Sequence, residues 1–277
     1  MKKRFITPLI IIALAAGLSL ILYPTVSNWW NVYHQSRAII DYSNEVESLS
    51  DEDYSSMIDS AAEYNKALLS KSRRFVLTGQ ELVEYKSLIN ISGGGSMGYI
   101  DIPRINVSIP IYHTASDDVL QFAAGHIPGT SLPVGGEGTH CAVSGHRGLP
   151  SARLFTDLDK LQLGDVFTVY VLKEELTYQI DRINTVLPSE VEALAIDPSE
   201  DRFTLITCTP YGVNTHRLLV SGTRIEPEHG LYAVRFTSEA IRIEPVMVAP
   251  FVAAPLLLVL LIMLVTGGGK ESKREGN

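Results

Sequence analysis

Two uncharged stretches, Phe5–Tyr23 and Val246–Val265, constrain this chain more than any other feature. They hold 19 and 20 residues, each about the length needed to cross a hydrocarbon core of ~30 Å. Lys2, Lys3 and Arg4 precede the first stretch, and Lys270, Lys273 and Arg274 follow the second. Positive clusters stay on the cytoplasmic side, so the region between them is expected outside the membrane. The first span is read as a retained anchor over residues 5–24, because only a weak small-residue cleavage site follows at Thr25-Val26-Ser27; a cleaved signal peptide would export the same region. The second span, 246–266, contains Pro250 and Pro255 and ends in a short charged tail, which favours a membrane helix over a buried core helix. Residues 1–4 and 267–277 are then the cytoplasmic ends, and 231–245 is a juxtamembrane segment.

Between the spans the 277-residue chain has room for one medium domain with a sizeable core. A net charge of −8, with no basic stripe outside the tails, argues against nucleic acid as a partner. Residues 25–97 read as a helical extension and linker. Ile39, Tyr42, Val46 and Leu49 form one helical stripe, and Met57, Ala61, Tyr64 and Leu68 form another behind a capping pattern at Ser50 and Asp53. Trp29 and Trp30 suit either a membrane interface or packing. Ser70–Ser96 is expected to be a connection, with Gly93–Gly95 as its hinge.

From residue 98 to 230 the pattern becomes mainly β, with short apolar runs broken by Pro and Gly. Strands are expected near 98–102, 106–112, 139–145, 166–172, 175–187, 203–209 and 217–225. Short helices are expected at 116–124, 151–159 and 189–195. Periodicity alone leaves a barrel and a sandwich equally open.

The stretch Phe203–Arg217 carries the chemistry. An apolar, β-branched run delivers Cys208 to a break at Pro210 and Gly212, and a second apolar run begins after Arg217. Another run ends in Gly145-His146-Arg147-Gly148, which leaves His146 at a strand end as well. A thiol, an imidazole and a guanidinium at three strand ends are the parts of an acyl-transfer site: nucleophile, proton carrier and fixed cation.

The runs Thr204-Leu205-Ile206-Thr207-Cys208-Thr209-Pro210 with Arg217, and Ser144-Gly145-His146-Arg147-Gly148-Leu149-Pro150-Ser151-Ala152, resemble the sortase family and within it class C, the pilin-polymerising sortases. Gly98–Pro103, Pro110–His113, Gly125–Gly136 and Leu154–Asp159 agree in the same order, so the resemblance spans roughly 98–225. It implies an eight-stranded closed β-barrel and a cysteine transpeptidase. Cys208 would attack the Thr carbonyl of a Leu-Pro-x-Thr-Gly-like sorting signal, His146 would carry the proton, and Arg217 would meet the oxyanion. Thr207 is a further candidate for substrate binding. The implied partners are pilins or surface proteins bearing such signals, with a pilin lysine as acceptor; the implied cofactor set is empty. Class C members usually carry an Asp-Pro-aromatic lid over the thiol. This chain lacks it, and Arg73-Arg74-Phe75 is the nearest equivalent, with Phe75 as the lid-equivalent ring. Two cations in place of the acid predict a segment without its usual anchor, leaving Cys208 open.

Alternatives remain at this level. A housekeeping sortase that joins proteins to the cell wall would share all three residues, and a non-catalytic pilin-docking ectodomain would keep Cys208 as core. His216 beside Arg217 also stands close enough in sequence to face Cys208, whereas His34, His113, His126, His140 and His229 read as structural. Cys141 reads as a core thiol, Arg147 as solvated or salt-bridged, and Asp197-Pro198-Ser199 as a turn. No Cys/His spacing matches a metal site.

Overall fold

The computed structural model describes residues 3–226. The expected juxtamembrane segment 231–245, second span 246–266, tail 267–277 and His229 lie outside the described residues. Residues up to Trp29 belong to one compact unit, and the remaining described residues to another.

Helix α1 (Lys3–Ser48) covers the expected anchor and continues through the first stripe, so the anchor and the start of the extension are one element. It is the one helix among the described residues that is long and apolar enough to cross a membrane. Ile12, Leu20 and Ile21 are exposed on it. Tyr42 and Val46 are buried as the stripe predicts, and the Tyr42 hydroxyl donates to Met97 O (2.9 Å) and accepts from Leu172 N (2.7 Å). Helix α2 (Asp51–Leu68) starts at Ser50, whose Oγ accepts from Asp53 N at 3.0 Å. Ala61 and Leu68 are buried, and Met57 and Tyr64 pack on the same core.

The expected connection Ser70–Ser96 is not all linker. It contains α3 (Gly79–Ser87), opened by a capping box in which Thr78 Oγ1 accepts from Glu81 N and Glu81 Oε2 accepts from Thr78 N. Tyr85 on α3 is fully buried, with its hydroxyl 2.8 Å from His126 Nδ1.

The barrel is built from β1 (Ser96–Ile102), β2 (Val107–His113), a short helix α4 (Asp117–Leu120), β3 (Ala124–His126), β4 (Thr139–Ser144), β5 (Val166–Val171), β6 (Glu174–Val186), β7 (Asp201–Thr209) and β8 (His216–Ile225). The strands close in the order β1-β2-β3-β4-β7-β8-β6-β5, with β5 returning to β1. The β2–β3 and β4–β7 pairs are parallel, and the others are antiparallel. Inside, Phe167, Tyr178 and Phe203 pack with ring centroids 5.4–5.7 Å apart.

Three sequence expectations need correction. The expected helix 116–124 is reduced to α4, because Ala124 already belongs to β3, the eighth strand, which no apolar run announced. Residues 151–159 are not a helix: only a 3₁₀ turn at Leu158–Lys160 forms, since Phe155 N and Thr156 Oγ1 are drawn to His146 O and Gly148 N instead. At 189–195 there is likewise only a 3₁₀ turn, Val191–Leu194.

Candidate active site

Strand register pairs Cys208 with Arg217 and lays β4, whose end leads into His146, alongside β7. On β7 side chains alternate, so Leu205 and Thr207 are buried at 0 % and 1 % exposure while Cys208, on the other face, is half-buried. Cys208 pairs directly with Arg217 across β7 and β8, which puts their Cα atoms about 5 Å apart. On the other side of β7, Ser144 pairs with Ile206. Gly145 N donates to Ile206 O at 3.0 Å, so the contact between the two chain segments continues to the residue before His146. Both cysteines are free thiols.

The loop carrying His146 depends on the glycines beside it. A Cβ on Gly145 would lie 2.6 Å from the Phe155 ring. Gly148 adopts φ +75°, and a Cβ there would lie 2.7 Å from the Tyr211 ring. His146 O accepts from Phe155 N at 3.2 Å. Arg147 is ion-paired, donating through Nη2 to Asp159 Oδ2, and its Nη1 donates to Thr209 Oγ1 at 3.3 Å.

Arg217 turns one nitrogen onto its own loop: Nη1 donates to His216 O (3.1 Å) and Asn214 O (3.3 Å). Among the described residues Nε and Nη2 carry no hydrogen bond, leaving donors for an oxyanion or a backbone carbonyl. His216, next in sequence, pairs with Thr209, so alternation turns it away from the Cys208–Arg217 face, and its Nδ1 lies 2.9 Å from Thr215 Oγ1.

Thr207 also faces away from the thiol. Its hydroxyl donates to Gly145 O at 2.8 Å, so it holds the His146 loop and leaves only its backbone near the Cys208 side. Cys141 is buried at 3 % exposure, and burial pushes its thiol well above the ordinary range. Burial likewise lowers His126 and His140 to about 4, and both imidazoles are spent on structural bonds. The Asp197 carboxylate accepts from Ser199 N, as the expected turn requires.

The segment Arg73-Arg74-Phe75 does not lack an anchor, contrary to the expectation from its charge. Arg74 Nη1 donates to Gly129 O (3.0 Å) and Nη2 to Leu194 O (2.7 Å), so a cation holds the segment through two backbone carbonyls. Phe75 packs on a cluster containing Ala142, Leu194, Ile206 and Leu219. Ile206 and Leu219 form the cross-strand pair next to Cys208 and Arg217 on the same face. The sequence offered no signal for these anchors, because their partners lie 55 and 120 residues away. No group of His, Cys, Asp or Glu among the described residues could hold a metal ion.

A family profile described as "Sortase domain" matches residues 100–225. The chain is similar to sortase C1 from Streptococcus agalactiae, at 51% identity over 69% of this chain and 98% of that one, with a TM-score of 0.67. It is also similar to Clostridium perfringens sortase C with the C-terminal cell wall sorting motif, at 41% identity over 69% and 99% of the two chains, with a TM-score of 0.61. Sortase A of Bacillus anthracis is 29% identical over 126 residues, 46% of this chain; the chain thus spans 58% of that relative's length.

Proposed function

The chain belongs to the sortase family, in its class C branch, and from that premise we propose that it is a membrane-anchored cysteine transpeptidase acting outside the cell. The observation that carries this reading is the Cys208–Arg217 cross-strand pair, with the thiol half-buried on one face and the residue before His146 tied to β7 through Gly145 N and Ile206 O. The Cys208 thiolate attacks the Thr carbonyl carbon of a Leu-Pro-x-Thr-Gly-like signal, and the carbonyl oxygen takes up the charge facing Arg217. Collapse of that intermediate breaks the Thr–Gly amide, with His146 donating the proton to the leaving glycine amine, and a thioester remains. A pilin lysine amine then attacks the thioester while His146 takes its proton, releasing the Cys208 thiolate and leaving an isopeptide bond. The sorting motif carried in the solved Clostridium perfringens neighbour supports this substrate class.

Anchoring rests on α1, whose apolar length suits a membrane span. We extend the proposal to the segment plan derived above: an anchor at 5–24, a catalytic barrel at 98–230 and a second span at 246–266, with both ends cytoplasmic.

The test is mass spectrometry of the full-length protein mixed with a Leu-Pro-x-Thr-Gly peptide and a lysine-bearing pilin fragment. Cys208→Ala should form no thioester and no isopeptide product. Arg217→Ala and His146→Ala should each slow acylation ~100-fold or more. Isopeptide product at wild-type yield from Cys208→Ala would overturn the proposal.

A further inference from the structure

Cys208 and His146 lie where the backbone ladder between their strands has run out. The parallel pairing of β4 with β7 stops at Ser144 and Ile206, and the Gly145 N to Ile206 O bond closes it. Beyond that point side chains take over. Thr207 Oγ1 donates to Gly145 O at 2.8 Å, and Arg147 Nη1 donates to Thr209 Oγ1 at 3.3 Å. The residues on either side of Cys208 thus hold the residues on either side of His146. Alternation sets Thr207 and Thr209 on the face of β7 away from the thiol, so both ties are made behind the reacting groups.

Arg147 is an unusual residue to spend on stability alone. Its side chain is only 9 % exposed, and its Nε is buried without a hydrogen-bond partner. An incompletely bonded buried guanidinium is a poor stabiliser, because the orphan N–H has lost water and gained nothing. What surrounds it fixes its direction: Asp159 takes Nη2, and the Tyr211 ring, which also rests on Gly148, lies 5.8 Å from its Cζ. Its remaining Nη1 is aimed at Thr209.

We propose that the Thr207–Gly145 and Arg147–Thr209 bonds form a two-point clamp that sets the approach of His146 to Cys208. Thr209 and Arg147 are then positioning residues for acyl transfer. The inference rests on Cys208 and His146 being the nucleophile and the proton carrier. Misplacing a reacting pair by about 1 Å costs on the order of 100-fold, so losing one of two ties should cost roughly tenfold.

Single-turnover acylation by the full-length protein, measured with a Leu-Pro-x-Thr-Gly peptide, tests the clamp. Thr209→Val keeps the shape and removes the hydroxyl; it should slow acylation about tenfold with KM and melting temperature unchanged, while Thr209→Ser restores the rate. Arg147→Gln should be slow as well, and the Arg147→Gln/Thr209→Val double variant should be little slower than either single one, since both remove the same bond. Thr209→Val within twofold of wild type would overturn the clamp, as would Val and Ser variants that are equally slow and less stable. If His146→Ala also acylates normally, the assignment of the proton carrier fails instead, which separates the two outcomes.

Discussion

Asn65 on α2 and Leu132 in the loop before β4 are joined by two hydrogen bonds, with Asn65 Nδ2 donating to Leu132 O at 3.1 Å and Leu132 N donating to Asn65 Oδ1 at 2.6 Å. Both residues are buried, so the amide side chain supplies the acceptor that Leu132 N would otherwise lack. Asn65→Ala leaves the buried Leu132 N–H unpaired, while Leu132 O keeps the Val134 N donor at 2.8 Å. The expected loss is about 2 kcal/mol, or roughly 6 °C in melting temperature for a unit of this size, as read by calorimetry on the full chain. A shift of under two degrees would mean that water satisfies Leu132 equally well.

The docking of Phe75 predicts a covered thiol. Arg74→Met removes both carbonyl anchors, and Phe75→Ala removes the ring from beside the Ile206–Leu219 pair. Each should speed labelling of Cys208 by a bulky maleimide about tenfold, equivalent to about 1.4 kcal/mol of docking. Cys141 stays unlabelled because it is buried. Labelling rates equal to wild type in both variants would show that the ring does not shield the nucleophile.

His126 and His140 make stability depend on pH. Burial favours their neutral forms and lowers both to about 4, against about 6.5 in the unfolded chain. Between these values the unfolded state binds protons that the folded state refuses, so stability falls as pH drops from about 6.5 toward 4. Each imidazole contributes on the order of 3 kcal/mol across that window. Urea denaturation at pH 7 and pH 5 should show the loss, and His140→Gln should remove about half of this difference. A flat profile over that range would contradict the burial assignment.

How much of this was legible beforehand depends on how local each feature is. The long strands were readable to within two residues because alternation and flanking Pro or Gly are local signals, and Cys208, His146 and Arg217 stand out as candidates because the first two follow such runs and the third opens one. β3 was not, since three residues, Ala124–His126, form a strand only by borrowing partners from β2 and β4. The capping box of α3 is present in Thr78 and Glu81, but Gly79 beside it and Gly93–Gly95 beyond carry the stronger local signal of a linker. The failed helix at 151–159 had adequate propensity, but its Phe155 and Thr156 bonds go to the His146 loop. Arg74 was misjudged because charge counting weighs distant cations and ignores nearby carbonyls.

The parallel register of β4 on β7 also governs oxidation. Cys141 lies opposite Phe203, five residues before Cys208 on the neighbouring strand. At about 3.3 Å per residue the two positions are roughly 17 Å apart, well beyond the ~4.4–6.8 Å between Cα atoms that a disulfide spans. Joining the two sulfurs therefore requires β4 and β7 to separate. A chain that meets an oxidant before these strands dock can be trapped with its nucleophile consumed, whereas one that docks first is immune to that reaction for as long as the sheet stays closed.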